Sequence, residues 1–182
     1  YVMSNSVSDL PMSDLNRFQT EAWPLAARII AQWLDRRERV DTLMDPMPKG
    51  LSYSDRARCQ HLIYGVVRNY GRIESALGRL IAHPPRFATR AVLYIAGYEL
   101  IEAASESLES GKVAKIVHHA VEQTKHLSSV AESRLVNAVV RKLAPLMAGE
   151  APPKLATSDV LAEYFSHPGW LVKRWLLQLG AE

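Results

Sequence analysis

The sequence predicts an all-α protein, with a bundle of about six helices followed by a C-terminal two-helix appendage. Apolar side chains recur at spacings of three and four residues through most of the chain, which is the period of a helix. No segment alternates polar and apolar residues in the sustained way that indicates a strand. The segment from Ala91 to Gly97 carries no charged side chain. A helix there is apolar on every face, so we expect it at the centre of the bundle.

Composition sets broad limits on the class of protein. The chain has 182 residues, of which 48% are hydrophobic, and this is enough for a core that needs no disulfides. The single cysteine, Cys59, excludes a disulfide framework and agrees with a cytoplasmic location. No signal peptide and no membrane-length apolar stretch is visible, so we expect no membrane partner. The net charge of +3 only slightly favours a polyanionic partner.

The first helix is predicted to begin near Trp23, after a disordered or loosely attached arm at residues 1–20. Its apolar stripe consists of Ala22, Leu25, Ala26, Ile29, Ile30, Trp33 and Leu34. The other face carries Arg28 and Arg36 and continues to Arg39. This is the most basic helix face in the chain, and the alternative is an ordinary solvated face.

The next segments are separated by helix-breaking residues. Asp41 to Leu51 contains two prolines and a glycine and is predicted to be a loop. Ser54 is expected to cap a helix that runs to Tyr70 and is ended by Gly71. A shorter helix with apolar residues between Ile73 and Ile81 follows, and it leads through two prolines into the central helix.

The second half of the chain is expected to contain four more helices. One has an apolar seam within residues 113–127, and Ser128 or Ser129 caps the next, with Glu132 placed to complete a capping box. Residues 149–154 have the composition of a linker. Thr157 or Ser158 then caps a short helix, and Pro168 starts the last one. The predicted units are an arm at 1–20, a helical domain at 21–148, a linker at 149–156 and a two-helix appendage at 157–182.

Six motifs occur in order along these helices. They are DRA at 55–57, LIYGVVR at 62–68, LYIAGYEL at 93–100, AVEQTK at 120–125, VNAVVR at 136–141 and YFSHPGWLVKRW at 164–175. Together they resemble the NusB-like helical domain at the N-terminus of the RsmB (Sun/Fmu) family of ribosomal RNA cytosine-C5 methyltransferases. The last motif is the most telling, because free-standing NusB antitermination factors lack it.

The resemblance implies a noncatalytic RNA-binding domain that helps to engage ribosomal RNA. It also implies a second partner, the protein's own C-terminal methyltransferase domain, which would hold S-adenosylmethionine and a nucleophilic cysteine. We therefore expect no catalytic residue, cofactor or metal site in this chain. NusB-like domains commonly carry an RNA-binding arginine at the start of the first helix, where this chain has Trp23.

RNA binding requires cations on one face, where they neutralise phosphates and release counterions. The candidate RNA-binding residues are Arg28, Arg36, Arg39, Arg56, Arg68 and Arg72. Arg56 and Arg68 are equally consistent with buried hydrogen bonds between helices. Arg134, Asn137 and Arg141 share another face, where Asn137 is expected to bond a neighbouring backbone group.

Other polar groups are weaker candidates for chemistry. His118, His119, Glu122 and His126 form a histidine face on one helix, which suggests zinc only if the side chains converge. An ordinary polar face is favoured, because lysines lie nearby. His167 has no nucleophile or acid at a recognisable spacing and is expected at the start of the last helix.

Two other functions remain open at this point. The chain could be a protein-interaction module that docks a catalytic domain or a ribosomal protein, and this would leave an apolar patch on the terminal helices. A NusB-type transcription antitermination factor is the third possibility. We expect Trp170 and Trp175 to pack the appendage onto the bundle. The sequence leaves open the RNA site and whether the chain forms a dimer.

Overall fold

The structure, a computed structural model, describes residues 22–105, 110–149, 151–152 and 156–180. These residues form nine helices and no strand, which confirms the predicted all-α fold. The predicted arm at residues 1–20 and part of the predicted linker lie outside the described residues. Within the described ranges, no helix combines the length and hydropathy that a membrane span needs.

The bundle contains seven of these helices and the appendage contains two. They are α1 (Ala22–Arg36), α2 (Val40–Met44), α3 (Tyr53–Arg68), α4 (Tyr70–Leu80), α5 (Phe87–Ser105), α6 (Ser110–Leu127), α7 (Val130–Met147), α8 (Ser158–Tyr164) and α9 (Gly169–Leu179). The six longer bundle helices correspond to the six that the apolar spacing predicts.

Helix α5 is the centre of the bundle and contacts α1, α3, α4, α6 and α7. Every residue from Ala91 to Tyr98 is buried, as the absence of charged side chains predicted. Gly65 allows α3 to approach α5 closely, because a Cβ atom at this position would overlap the ring of Tyr98. The core is therefore built around α5, and the other bundle helices expose their outer faces.

The predicted loop from Asp41 to Leu51 is wrong at its start, where the chain forms α2. Leu43 and Met44 of this short helix are buried against the core. Burial of the two apolar side chains stabilises a five-residue helix that its own sequence signals weakly.

The predicted boundaries of α3 also need correction. Its cap is Ser52 and not Ser54, because Ser52 Oγ accepts a hydrogen bond from the Asp55 N–H at 3.1 Å. The helix ends at Arg68, and the chain turns at Asn69, whose side-chain amide donates to the Gly65 carbonyl at 2.9 Å. Gly71 lies inside α4 and does not end a helix.

Two predicted caps are confirmed. Ser129 Oγ accepts from the Glu132 N–H at 3.2 Å, and Thr157 Oγ1 accepts from the Val160 N–H at 3.4 Å. The Glu132 carboxylate does not complete the predicted capping box. It accepts instead from the hydroxyl of Ser128 at 2.9 Å and from that of Thr89.

The appendage packs onto the bundle through α8, which contacts α4. The Arg72 backbone N–H donates to Ser166 Oγ at 2.9 Å, and Arg79 forms an ion pair with Glu163. The prediction that tryptophans fasten the appendage is wrong for Trp170, which is 66% exposed. Polar contacts near the end of α8 hold the appendage instead.

Candidate nucleic-acid interface

The predicted basic face of α1 is exposed to solvent. Arg28 and Arg36 lie two helical turns apart, about 12 Å along the axis, on the side opposite the buried stripe. Both side chains belong to exposed residues, and Gln32 and Asp35 lie between them. The face is therefore accessible to a polyanion, although Asp35 reduces its positive potential.

Arg39 follows α1 and immediately precedes α2. Its side chain is 86% exposed, and its guanidinium lies 3.9 Å from the Asp41 carboxylate. An ion pair between two such exposed groups is weak, so Arg39 can exchange it for a phosphate at little cost. We call Arg28 and Arg36 on α1, together with Arg39 just beyond its end, the α1 basic face.

Arg68 is the only one of the three remaining candidates that is exposed. Its guanidinium lies 6.0 Å from the ring centroid of Tyr64. The Tyr64 hydroxyl donates to Asp41 Oδ1 at 2.9 Å, and this hydrogen bond raises the pKa of Tyr64. Arg68 is thus available to a ligand and lies close to the segment that joins α1 to α3.

Arg56 and Arg72 are engaged by the protein itself. Arg56 Nη2 donates to the Pro48 carbonyl at 2.9 Å. Arg72 Nη2 donates to the Met147 carbonyl at 2.7 Å, and its guanidinium lies 4.3 Å from the ring centroid of Tyr164. These contacts give both arginines a structural role, and their contact with RNA remains a prediction.

Arg37 is a further cation beside α1, and the sequence pattern alone does not single it out. It is exposed, directly follows α1, and has a left-handed backbone with φ of 57°. Its Nη2 lies 3.4 Å from the Tyr70 hydroxyl, and its guanidinium lies 5.9 Å from the Trp33 ring centroid. The one signal for Arg37 in the sequence is its position directly after a helix, where glycine is common because the backbone is often left-handed there.

A second polar cluster surrounds Trp23 at the start of α1. The Trp23 side chain is buried, and its N–H lies near the Glu99 carboxylate without forming a hydrogen bond of good geometry among the described residues. Burial raises the pKa of Glu99 to about 7, while the Trp23 N–H and Arg58, 3.6 Å away, act to lower it. His119 packs edge-on against Trp23, and burial lowers the pKa of its imidazole. The indole is thus part of the core and is not an RNA contact.

The weaker chemical candidates lack the geometry of an active or metal site. Cys59 is fully buried, and burial raises the pKa of its thiol to about 11, so it is protonated and unreactive at neutral pH. On the histidine face, Glu122 pairs with Lys125 at 2.6 Å, while His119 turns inward. Within the described residues, no three His, Cys, Asp or Glu side chains are grouped closely enough to hold a metal ion.

Two further predictions concern His167 and Asn137. His167 packs edge-on against Trp175, with ring centroids 5.4 Å apart, at the turn that leads into α9. Asn137 is exposed and accepts a hydrogen bond from Arg141 Nε at 3.1 Å. The prediction that Asn137 bonds a backbone group is therefore wrong.

Comparisons with known proteins agree with the motifs. The sequence profile of the NusB family matches residues 16–145. The chain is 30% identical over 157 residues to ribosomal RNA small subunit methyltransferase B of Sodalis glossinidius (strain morsitans), covering 84% of this chain and 34% of that protein. It is 27% identical over 158 residues to the protein of the same name in Salmonella newport (strain SL254), covering 82% and 33%. The chain thus spans about a third of the length of these relatives, and no solved structure matches it.

Proposed function

Since the chain belongs to the NusB family, we propose that it is an RNA-binding domain of a ribosomal RNA methyltransferase and engages ribosomal RNA in the cytoplasm through the α1 basic face. The observation that carries the proposal is the exposure of Arg28 and Arg36 on one face of α1, and of Arg39 shortly after the end of this helix. Each guanidinium can neutralise a phosphate and release condensed counterions, which is the main source of sequence-independent RNA affinity.

We propose that methyl transfer takes place in the part of these methyltransferases that this chain does not span. The chemistry requires a nucleophile for the cytosine ring and a site for S-adenosylmethionine. Cys59 does not supply the nucleophile, because its thiol is buried and its pKa is raised. In this proposal the chain positions RNA for a catalytic domain, and it holds no cofactor.

A charge-reversal experiment tests the proposed interface. We expect the triple variant Arg28→Glu, Arg36→Glu and Arg39→Glu to lose roughly tenfold or more in affinity for single-stranded ribosomal RNA fragments at low salt. Fluorescence anisotropy measures the affinity. The matched control reverses three other exposed arginines, Arg134, Arg141 and Arg174, on α7 and α9. Equal losses in the two triple variants would show that only the net charge matters and would contradict the proposed interface.

A second candidate function, docking of a catalytic domain, is favoured by an apolar surface on α9. Trp170 and Leu177 lie on the outer face of this helix and are 66% and 87% exposed. Leu179 is 78% exposed at its end. Exposed apolar patches can mark interaction surfaces, and we propose that the methyltransferase part of the longer protein covers this one.

The docking function predicts a complex with the part of a relative that this chain does not span. The remaining two thirds of the Sodalis glossinidius relative can be expressed separately, checked for folding by circular dichroism, and mixed with this chain. We expect sedimentation velocity to detect a complex that Trp170→Glu with Leu177→Glu abolishes. If the wild-type chain instead self-associates through this face, or binds nothing, the docking function is wrong.

A further inference from the structure

A groove separates the bundle from the appendage on the side of α1 and α4. Its volume is about 470 Å³, which is within the usual range for sites that hold small organic groups. Trp33 and Tyr70 form an aromatic wall, with ring centroids 5.2 Å apart and ring planes nearly perpendicular. The opposite wall is the turn between α8 and α9, which includes Ser166 and His167.

Arg37 lies at the rim of this groove. Its guanidinium is 5.9 Å from the centroid of the Trp33 ring and 5.7 Å from that of Tyr70. The hydrogen bond between Arg37 Nη2 and the Tyr70 hydroxyl spans 3.4 Å, which is long enough to be exchanged for a stronger acceptor. A cation thus lies beside the aromatic wall, and no carboxylate among the described residues forms an ion pair with it.

Backbone strain is concentrated at the same place. Among the described residues, Arg37 and Ser166 are the two non-glycine residues with positive φ, at 57° and 55°. Glycine adopts this conformation more easily than other residues do. A non-glycine residue at such a position therefore indicates that its side chain makes a contact that glycine could not make. For Ser166, that contact is the hydrogen bond from the Arg72 N–H. For Arg37, it is the contact with Trp33 and Tyr70 at the groove.

The charges around the groove favour an anionic ligand. Among the described residues, Glu163 is the one acidic residue that lines the groove, and Arg79 forms an ion pair with its carboxylate. Glu74, one turn after Tyr70 on α4, also acts on Arg37 through its charge, so it partly offsets this field. Arg36 and Arg68 are exposed. Arg36 precedes Arg37 in the sequence, and Arg68 follows Val67, which lines the groove. Glu38 adjoins Arg37 and is exposed, so it opposes this field only weakly.

We propose that this groove binds an unpaired nucleobase of an RNA strand, with the base against Trp33 and Tyr70 and its phosphate at Arg37. The proposal rests on the proposed function, because it adds a base-binding site to the α1 basic face, whose Arg36 directly precedes Arg37. Unstacked bases are typically held by aromatic rings together with arginine. Ser75 and His167 also line the groove and offer hydrogen-bonding groups to the edge of a base.

Photo-crosslinking identifies the contact directly. The probe is a short uridine-rich single-stranded RNA that carries one 5-iodouridine, which crosslinks efficiently to aromatic side chains on irradiation. We expect mass spectrometry of the wild-type complex to find the crosslink on Trp33 or Tyr70. Crosslinks found only elsewhere on the protein would overturn the proposal.

Two substitutions test the energetic contribution of the groove. We expect Trp33→Leu to weaken binding of the same RNA roughly five- to fiftyfold through loss of stacking. We expect Arg37→Gly to weaken it roughly threefold or more while keeping the fold, since glycine accepts the left-handed backbone. Tyr53→Leu and Arg134→Ala are the matched controls, because both residues are exposed and neither lines the groove.

The outcomes separate this proposal from the proposed function. If neither groove variant loses affinity while reversal of the α1 basic face still weakens binding roughly tenfold or more, the groove proposal is wrong and the proposed function stands. If the wild-type chain binds no RNA at low salt, both are wrong. Should Trp33→Leu fail to fold, Arg37→Gly and the wild-type crosslink still decide the matter.

Discussion

Glu99 shows how strongly burial alters the chemistry of a single side chain in this protein. Its carboxyl is 14% exposed, and burial raises its pKa to about 7 although Arg58 Nη2 lies 3.6 Å away. Glu102 on the next turn of α5 acts in the same direction as burial. His119 faces the same region from α6, and burial lowers the pKa of its imidazole. The residue therefore changes charge near neutral pH.

The raised pKa of Glu99 has a defined effect on stability. The folded protein binds the Glu99 proton more tightly than the unfolded chain does, so the group stabilises the fold at low pH, and this contribution is lost as the pH rises through about 7. The lowered pKa of His119 has the opposite effect on stability, but His119 is present in both wild type and the Glu99→Gln variant, so its effect cancels when the two are compared. We expect the advantage of wild type over Glu99→Gln to fall by roughly 1 to 3 kcal/mol between about pH 5 and pH 8. Urea denaturation at the two pH values measures this, and a difference that does not change with pH would refute the assignment.

The helices with a sustained three-and-four spacing of apolar residues could be predicted from the sequence. The helix that depends on tertiary contacts could not. The burial of α5 follows from its uncharged middle, and the caps at Ser129 and Thr157 follow from local side-chain chemistry. Helix α2 was missed because it is stabilised by burial of Leu43 and Met44 rather than by its own propensity. The groove at Trp33 could not be predicted, because it forms only where the end of α1 meets the turn between α8 and α9.

Arg72 stabilises the contact between α4 and α8. Its guanidinium joins the end of α7 to Tyr164, and its backbone N–H donates to Ser166. We expect Arg72→Ala to lower the free energy of unfolding by roughly 2 kcal/mol, because a charged donor to the Met147 carbonyl is lost. Amide hydrogen exchange in α8 and α9 should become faster, and Arg134→Ala serves as the control. Unchanged exchange together with weaker RNA binding would instead identify Arg72 as an RNA contact.

For the whole molecule, the distribution of charge matters more than its total. A net charge of +3 is small, and surface carboxylates such as Asp35 and Glu38 partly offset the arginines near them. The sequence predicts the candidate RNA contacts only as individual arginines. The structure distinguishes those that the protein itself engages, Arg56 and Arg72, from those that are exposed. Sequence alone could not make this distinction, because the acceptors of both arginines are backbone carbonyls in other segments.

The salt dependence of RNA affinity reports how many phosphates the α1 basic face neutralises. The logarithm of the binding constant falls with the logarithm of salt concentration by about 0.7 for each phosphate neutralised on a single strand. We therefore predict that reversing Arg28, Arg36 and Arg39 reduces the magnitude of this slope by about 2 relative to wild type. A slope that is the same for the triple variant and wild type would contradict the account.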